Sequence, residues 1–194
     1  MKIENLTTTG IAVLSTVAAA LLAGCATPPA PPAAIAVPAD VPVALQPAAG
    51  QEPFLQVHAT GVQVYECSSK AEAPGGWAWV FKAPQATLAD AAGKVIGHHF
   101  AGPSWTLDDG ATIVGQVSAS APAQEKGSIP WLLLAVKSRQ GQGALSGTTS
   151  VQRLDTGGGV APAAPCAAAN AHAVERVGYV ATYVFWRMKA ASRG

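Results

Sequence analysis

Two adjacent histidines, His98 and His99, and two adjacent aspartates, Asp108 and Asp109, fall within one stretch of twelve residues. Histidine titrates near neutral pH and a carboxylate can hold a cation or take a proton. The four are therefore candidates for acid–base chemistry or metal-assisted hydrolysis. Neighbouring residues on a strand point to opposite faces, so one metal ion does not readily take both histidines. The plainer alternative gives one histidine to packing, the other to water, and the aspartates to a hairpin turn. Ser104 lies between the two pairs, but Gly102-Pro103-Ser104-Trp105 is not the strained strand-to-helix elbow that exposes a nucleophile. Trp77 and Trp105 stand beside Gly- and Pro-containing loops, where an exposed indole would make a platform for a sugar ring or a partner's apolar group. Trp131 and Trp186 suit a core better.

The elements that must position these residues read as strands. Residues 61–67 (GVQVYEC) alternate in period two, with Val62 and Val64 on one face and Tyr65 and Cys67 on the other. Further strands are expected at 77–81, 95–100, 104–107, 112–117, 131–136, 148–154 and 179–187, separated by Gly, Pro and Asp. Asp108-Asp109-Gly110 is a hairpin turn between two of them. Residues 131–136 (WLLLAV) are apolar on both faces and read as a strand buried on both sides. Residues 167–173 suit one or two helical turns. No longer window has a helical period. About eight strands at this spacing predict an all-β domain, a β-sandwich or a barrel, over residues 54–187 with a tail at 188–194.

The amino-terminal part differs in kind. An apolar run of 13 residues, 11–23, is too short to cross a bilayer but suits the central region of a signal peptide. It ends in Leu22-Ala23-Gly24-Cys25, which resembles the lipobox of bacterial lipoproteins. That resemblance implies removal of residues 1–24 and acylation of the Cys25 thiol, palmitate being a usual chain. Ala26, rather than Asp, follows the cysteine; by resemblance to enteric lipoprotein sorting this implies the outer membrane, on its periplasmic face or at the cell surface. Residues 25–53 carry eight prolines, which disfavour helix and central strand and predict a disordered Pro/Ala-rich tether. Extended, it would reach about 80 Å. With Cys25 acylated, Cys67 and Cys166 remain to form a disulfide in an oxidising compartment, two free buried thiols being the alternative.

Several motifs together resemble the domain-of-unknown-function family 3455. They are residues 94–110 (KVIGHHFAGPSWTLDDG), 61–67, 129–135 (IPWLLLA) and 149–153 (TSVQR), in that family's order. The resemblance implies secreted proteins of bacteria and fungi without an established activity. Some fungal relatives carry a malate-dehydrogenase label, which the residues do not support. A nicotinamide site wants G-x-G-x-x-G between strand and helix, and residues 141–146 (GQGALS) and 157–162 (GGGVAP) both fail. Gly97…Gly102 and Gly110…Gly115 have phosphate-loop spacing without its lysine. No cofactor motif is present. The formal charge of +1 persists once Lys2 and Glu4 are removed together, giving no basic face for nucleic acid. The expectation is an envelope protein held by the lipid on Cys25, with a non-enzymatic binding or interaction domain for a glycan or another envelope protein. The loops around His99, Trp105 and Asp109 are the candidate site. The alternative is an envelope enzyme, hydrolytic or metal-dependent, using His98, His99, Asp108 and Asp109.

Overall fold

A computed structural model describes residues 35–191. Eight strands follow one another: β1 (Gln51–Ser69), β2 (Trp77–Ala89), β3 (Val95–Phe100), β4 (Ser104–Leu107), β5 (Thr112–Ala121), β6 (Trp131–Gln140), β7 (Thr148–Gly158) and β8 (Val174–Met188). Each pairs antiparallel with the next, and β8 returns to pair with β1, so a single sheet closes into a barrel. Of the two all-β architectures expected, the barrel forms. The period-two pattern supplies the reason. On β8, Tyr179, Ala181, Tyr183 and Phe185 all point inward and are at most 4% exposed. The β4–β5 turn needs a residue at positive φ, supplied by Gly110 at 88°.

The barrel interior is aromatic at its centre. Trp105, fully buried on β4, stacks on His99 with centroids 4.7 Å apart and meets Tyr183 and Phe185 edge-on. Gly115 on β5 makes room for it, since a Cβ there would stand 2.9 Å from the indole. Val57, Ala59, Leu88, Ile113, Leu134 and Val151 complete the same core.

The expected tether at 25–53 is corrected over its second half. Residues 25–34 lie outside the described residues, as do the signal peptide and Cys25, but 35–53 belong to the domain. β1 starts at Gln51, and Val43–Leu45 forms a turn of 3-10 helix. Val41 and Leu45, 5% and 0% exposed, pack on the outer faces of β6, β7 and β8 against Trp131, Leu154 and Val184. Gln152, itself buried, fixes the contact: its Nε2 donates to the Leu45 carbonyl at 2.7 Å, and its Oε1 accepts from Trp186 Nε1 at 2.9 Å. Proline forbids helix and central strand, but it does not stop the Val and Leu between prolines from burying their side chains. This strap explains why β6 is apolar on both faces. Leu134 joins the inner core while Trp131 and Leu133 lie under the strap.

Cys67 on β1 and Cys166 in the β7–β8 connection form a disulfide, with S–S 2.00 Å and Cα atoms 5.5 Å apart. The same connection is tied down by the Trp79 indole, which donates to the Ala164 carbonyl at 2.8 Å, and by backbone bonds between Cys67 and both His172 and Ala173. Of the helical turns expected at 167–173, one forms, Ala168–Asn170. Residues from Ala34 onward form a compact unit, and every core side chain described comes from within it.

Candidate functional site

Strand lengths decide where the barrel can be entered. β3 and β4 are short, with 6 and 4 residues. β2 therefore meets β3 only from Ala86 onward, and β5 meets β4 only up to Val114. Beyond those points the facing edges of β2 and β5 have no strand between them, and a side window opens above the Gly102-Pro103 turn. Phe81 on β2 and Val117 on β5 line it, 48% and 50% exposed. The adjoining end of the barrel is closed. There the Tyr65 hydroxyl donates to the Gly159 carbonyl at 2.7 Å, and a Cβ on Gly159 would meet Tyr179, Gln63 and Ile129 at 2.8–3.2 Å. Behind the window lies a cavity of about 480 Å³ walled by Leu132, Leu134, Trp105, Tyr183, His99 and Gln63, with Arg153 near its mouth. That volume is in the range of small-molecule sites.

The polar groups in this wall have a consistent sense. His99 Nδ1 is 2.8 Å from the Ser104 carbonyl, which can only accept, so Nδ1 carries the proton and Nε2 keeps its lone pair. Burial pushes the His99 pKa down to about 4; the bond to Ser104 opposes this, and the Arg153 charge adds to it. The imidazole is thus neutral at neutral pH. Burial raises Tyr183 and Tyr65, with Arg153 working against the rise in both. Tyr179 is raised as well, by burial first and then by Tyr183. Trp105 Nε1, Gln63 Nε2 and the Tyr183 hydroxyl are shut off from solvent and make no hydrogen bond of normal geometry among the described residues, although Tyr179 and Arg153 approach the Tyr183 hydroxyl. Arg153 projects inward from β7 beside Val151. Its Nε and Nη2 donate to the Pro130 carbonyl at 3.0 and 2.8 Å, and it enters no salt bridge among the described residues.

The residues singled out from sequence are separated by this geometry. His98 and His99 take opposite faces of β3, His98 exposed and His99 inside, as period two requires. Asp108 and Asp109 sit at the β4–β5 turn, at the end of the barrel away from the window. Asp109 is a turn residue there: Oδ1 accepts from Ala111 N at 3.0 Å and Oδ2 from Ala144 N at 2.6 Å, and these backbone bonds, Ala144 first, lower its pKa. The constellation of two histidines with two aspartates is not assembled. Among the described residues no three His, Cys, Asp or Glu side chains come together as metal ligands would. Trp77 is partly buried at the start of β2 and does not line the cavity. Trp105, left open in sequence between an exposed platform and the core, occupies the inward phase of β4 as core and cavity wall. Gln63, Arg153 and Tyr183 were not picked out. Their signal was a polar side chain on the strand face that otherwise carries core residues, Gln63 with Val57 and Ala59, Arg153 with Val151.

No curated protein and no solved structure matches the chain. A family model does, over residues 47–187, and covers the barrel from just before β1 to the last turn of β8. Its description is a protein of unknown function, and by that match over most of its length the chain belongs to the DUF3455 family.

Proposed function

We propose that this protein is an exported, lipid-anchored envelope protein whose barrel reversibly binds a small, largely apolar molecule in the side-window cavity, without covalent chemistry. One observation carries the binding reading: a cavity of about 480 Å³, reached between two unpaired strand edges and walled largely by apolar side chains with Arg153 among them. A largely apolar cleft of this size with a few polar groups is the usual form of a small-molecule site. The enzyme alternative finds less support, since its four residues point to different faces and ends of the barrel.

The anchor reading rests on the 11–23 apolar run and the lipobox at Cys25, and a disulfide between Cys67 and Cys166 suits an oxidising compartment. The strap changes what the anchor would do. Only nine residues lie between Cys25 and Ile35, so the barrel would stand at most about 35 Å from the lipid rather than about 80 Å. Asp40 accepts a hydrogen bond from Gln124 in the β5–β6 connection, so the strap enters at the window end of the barrel. The mouth would then lie on the membrane side.

Two measurements test these readings. A neutral fluorescent probe, N-phenyl-1-naphthylamine, is titrated into residues 34–194 in detergent-free buffer. Saturable one-to-one enhancement, lost in Leu134→Trp with the fold retained by circular dichroism, is expected; no saturable enhancement refutes the cavity reading. Metabolic labelling with a fatty-acid analogue compares the full chain with Cys25→Ser, and equal labelling refutes the anchor.

A further inference from the structure

The chemical sense of the cavity narrows its ligand, given the binding reading above on which this step rests. We infer that the cavity selects an organic monoanion, an apolar body carrying one carboxylate-like head, over neutral molecules of the same shape. Two features converge, the charge of the cavity and its apolar lining. The buried polar atoms of Trp105, Gln63 and Tyr183 are closed off behind that lining, so the charge that a ligand meets is carried by Arg153.

The cavity has a net charge. Arg153 lines it, and both of its hydrogen bonds go to one neutral carbonyl, that of Pro130, which leaves the guanidinium's positive charge uncompensated by any protein carboxylate among the described residues. Its field reaches across the space, acting on Tyr65, His99 and Tyr183 alike. Lys82 at the rim adds a second cation, although Glu66 holds it at 3.3 Å. Among the described residues no Asp or Glu lines the cavity. The one acceptor in the wall that is clearly defined, His99 Nε2, is neutral because burial keeps the ring unprotonated.

One guanidinium without a carboxylate partner among the described residues matches an acceptor with two oxygens and one negative charge, the geometry that arginine binds best. The remaining lining, Leu132, Leu134, Ile129, Val117 and Phe81, offers nothing polar and suits an apolar body. At about 30 Å³ per water the volume corresponds to roughly 16 waters, room for one or two rings.

The test uses 2-naphthoate and its neutral isostere 2-naphthamide, titrated by calorimetry into residues 34–194, with N-phenyl-1-naphthylamine as the reference for the cavity itself. Wild type is expected to prefer the anion by about tenfold or more, the usual worth of hydrogen bonds to a charged group. Arg153→Gln should bring the two ligands within about threefold of each other. Equal affinities for anion and amide in wild type, or an anion preference untouched by Arg153→Gln, overturns the inference and leaves the cavity reading standing. Failure of the neutral probe in wild type is the different result that removes the cavity itself.

Discussion

His99 should make the stability of this barrel fall as the solution is acidified through a window well above the carboxylate range. The ring is 3% exposed, and burial holds its pKa near 4 against an ordinary value of 6.5. Folding therefore excludes the imidazolium, while the unfolded chain accepts a proton freely below about pH 6.5. Stability is full above that pH and is lost progressively as pH falls from about 6.5 toward 4, where the loss levels off. For that shift the linkage relation gives a loss of about 0.8 kcal/mol at pH 6 and about 2 kcal/mol at pH 5, relative to pH 7.5. The assay is urea denaturation at pH 7.5, 6.5, 6 and 5, for wild type and His99→Asn. The asparagine amide can keep the donor to the Ser104 carbonyl and does not titrate. Its baseline stability will be lower because it leaves a void beside Trp105, so the informative quantity is the slope with pH. Wild type should lose about 2 kcal/mol more than the variant between pH 7.5 and 5. Parallel pH profiles for the two proteins would refute the reasoning.

Other expected outcomes follow from the strap, the staple and the turn. Leu45→Ala, at a fully buried position in what reads as a proline-rich tether, should cost about 2–5 kcal/mol in urea denaturation, whereas a free tether predicts no change. Replacing both Cys67 and Cys166 by Ala should lower stability by about 4 kcal/mol, because the bridge closes a separation of 99 residues in the unfolded chain; a thermal midpoint unaffected by reductant would count against this. Asp109→Ala should lose about 1 kcal/mol by releasing two backbone N–H groups, yet leave binding of the neutral probe within twofold; lost binding there would return Asp109 to the site.

The strands were legible because alternation is a local property. β3 and β4 occupy the expected spans 95–100 and 104–107, and the Asp-Asp-Gly turn between β4 and β5 is where its chemistry puts it. β1 extends ten residues further toward the amino terminus than its clear alternation, because Pro53 and a register shift between Pro53 and Leu55 break the pattern while the pairing with β8 continues. The strap was not legible, since proline content reports which regular structures are excluded and is silent about packing. At the site, His99 and Trp105 stood out by type, and the structure does place them together. Asp108 and Asp109 stood out by proximity in sequence, but at about 3.3 Å per residue a strand carries them roughly 10–13 Å past Trp105, to the wrong end of the barrel. Gln63, Arg153 and Tyr183 needed a fact no local pattern holds: β3 and β4 stop short and leave a space for them to surround.

The ring is closed by its outermost partners in the chain, since β1 pairs along most of its length with β8. No earlier strand can substitute for β8, so neither the barrel nor the strap's seat, which includes Val184 and Trp186, exists until the last strand has arrived. Contacts this distant in sequence form slowly and only after much entropy has been surrendered. Until then the edges of β1 and β7 lack their partner, and the indoles of Trp105 and Trp131 lack the β8 side chains that cover them.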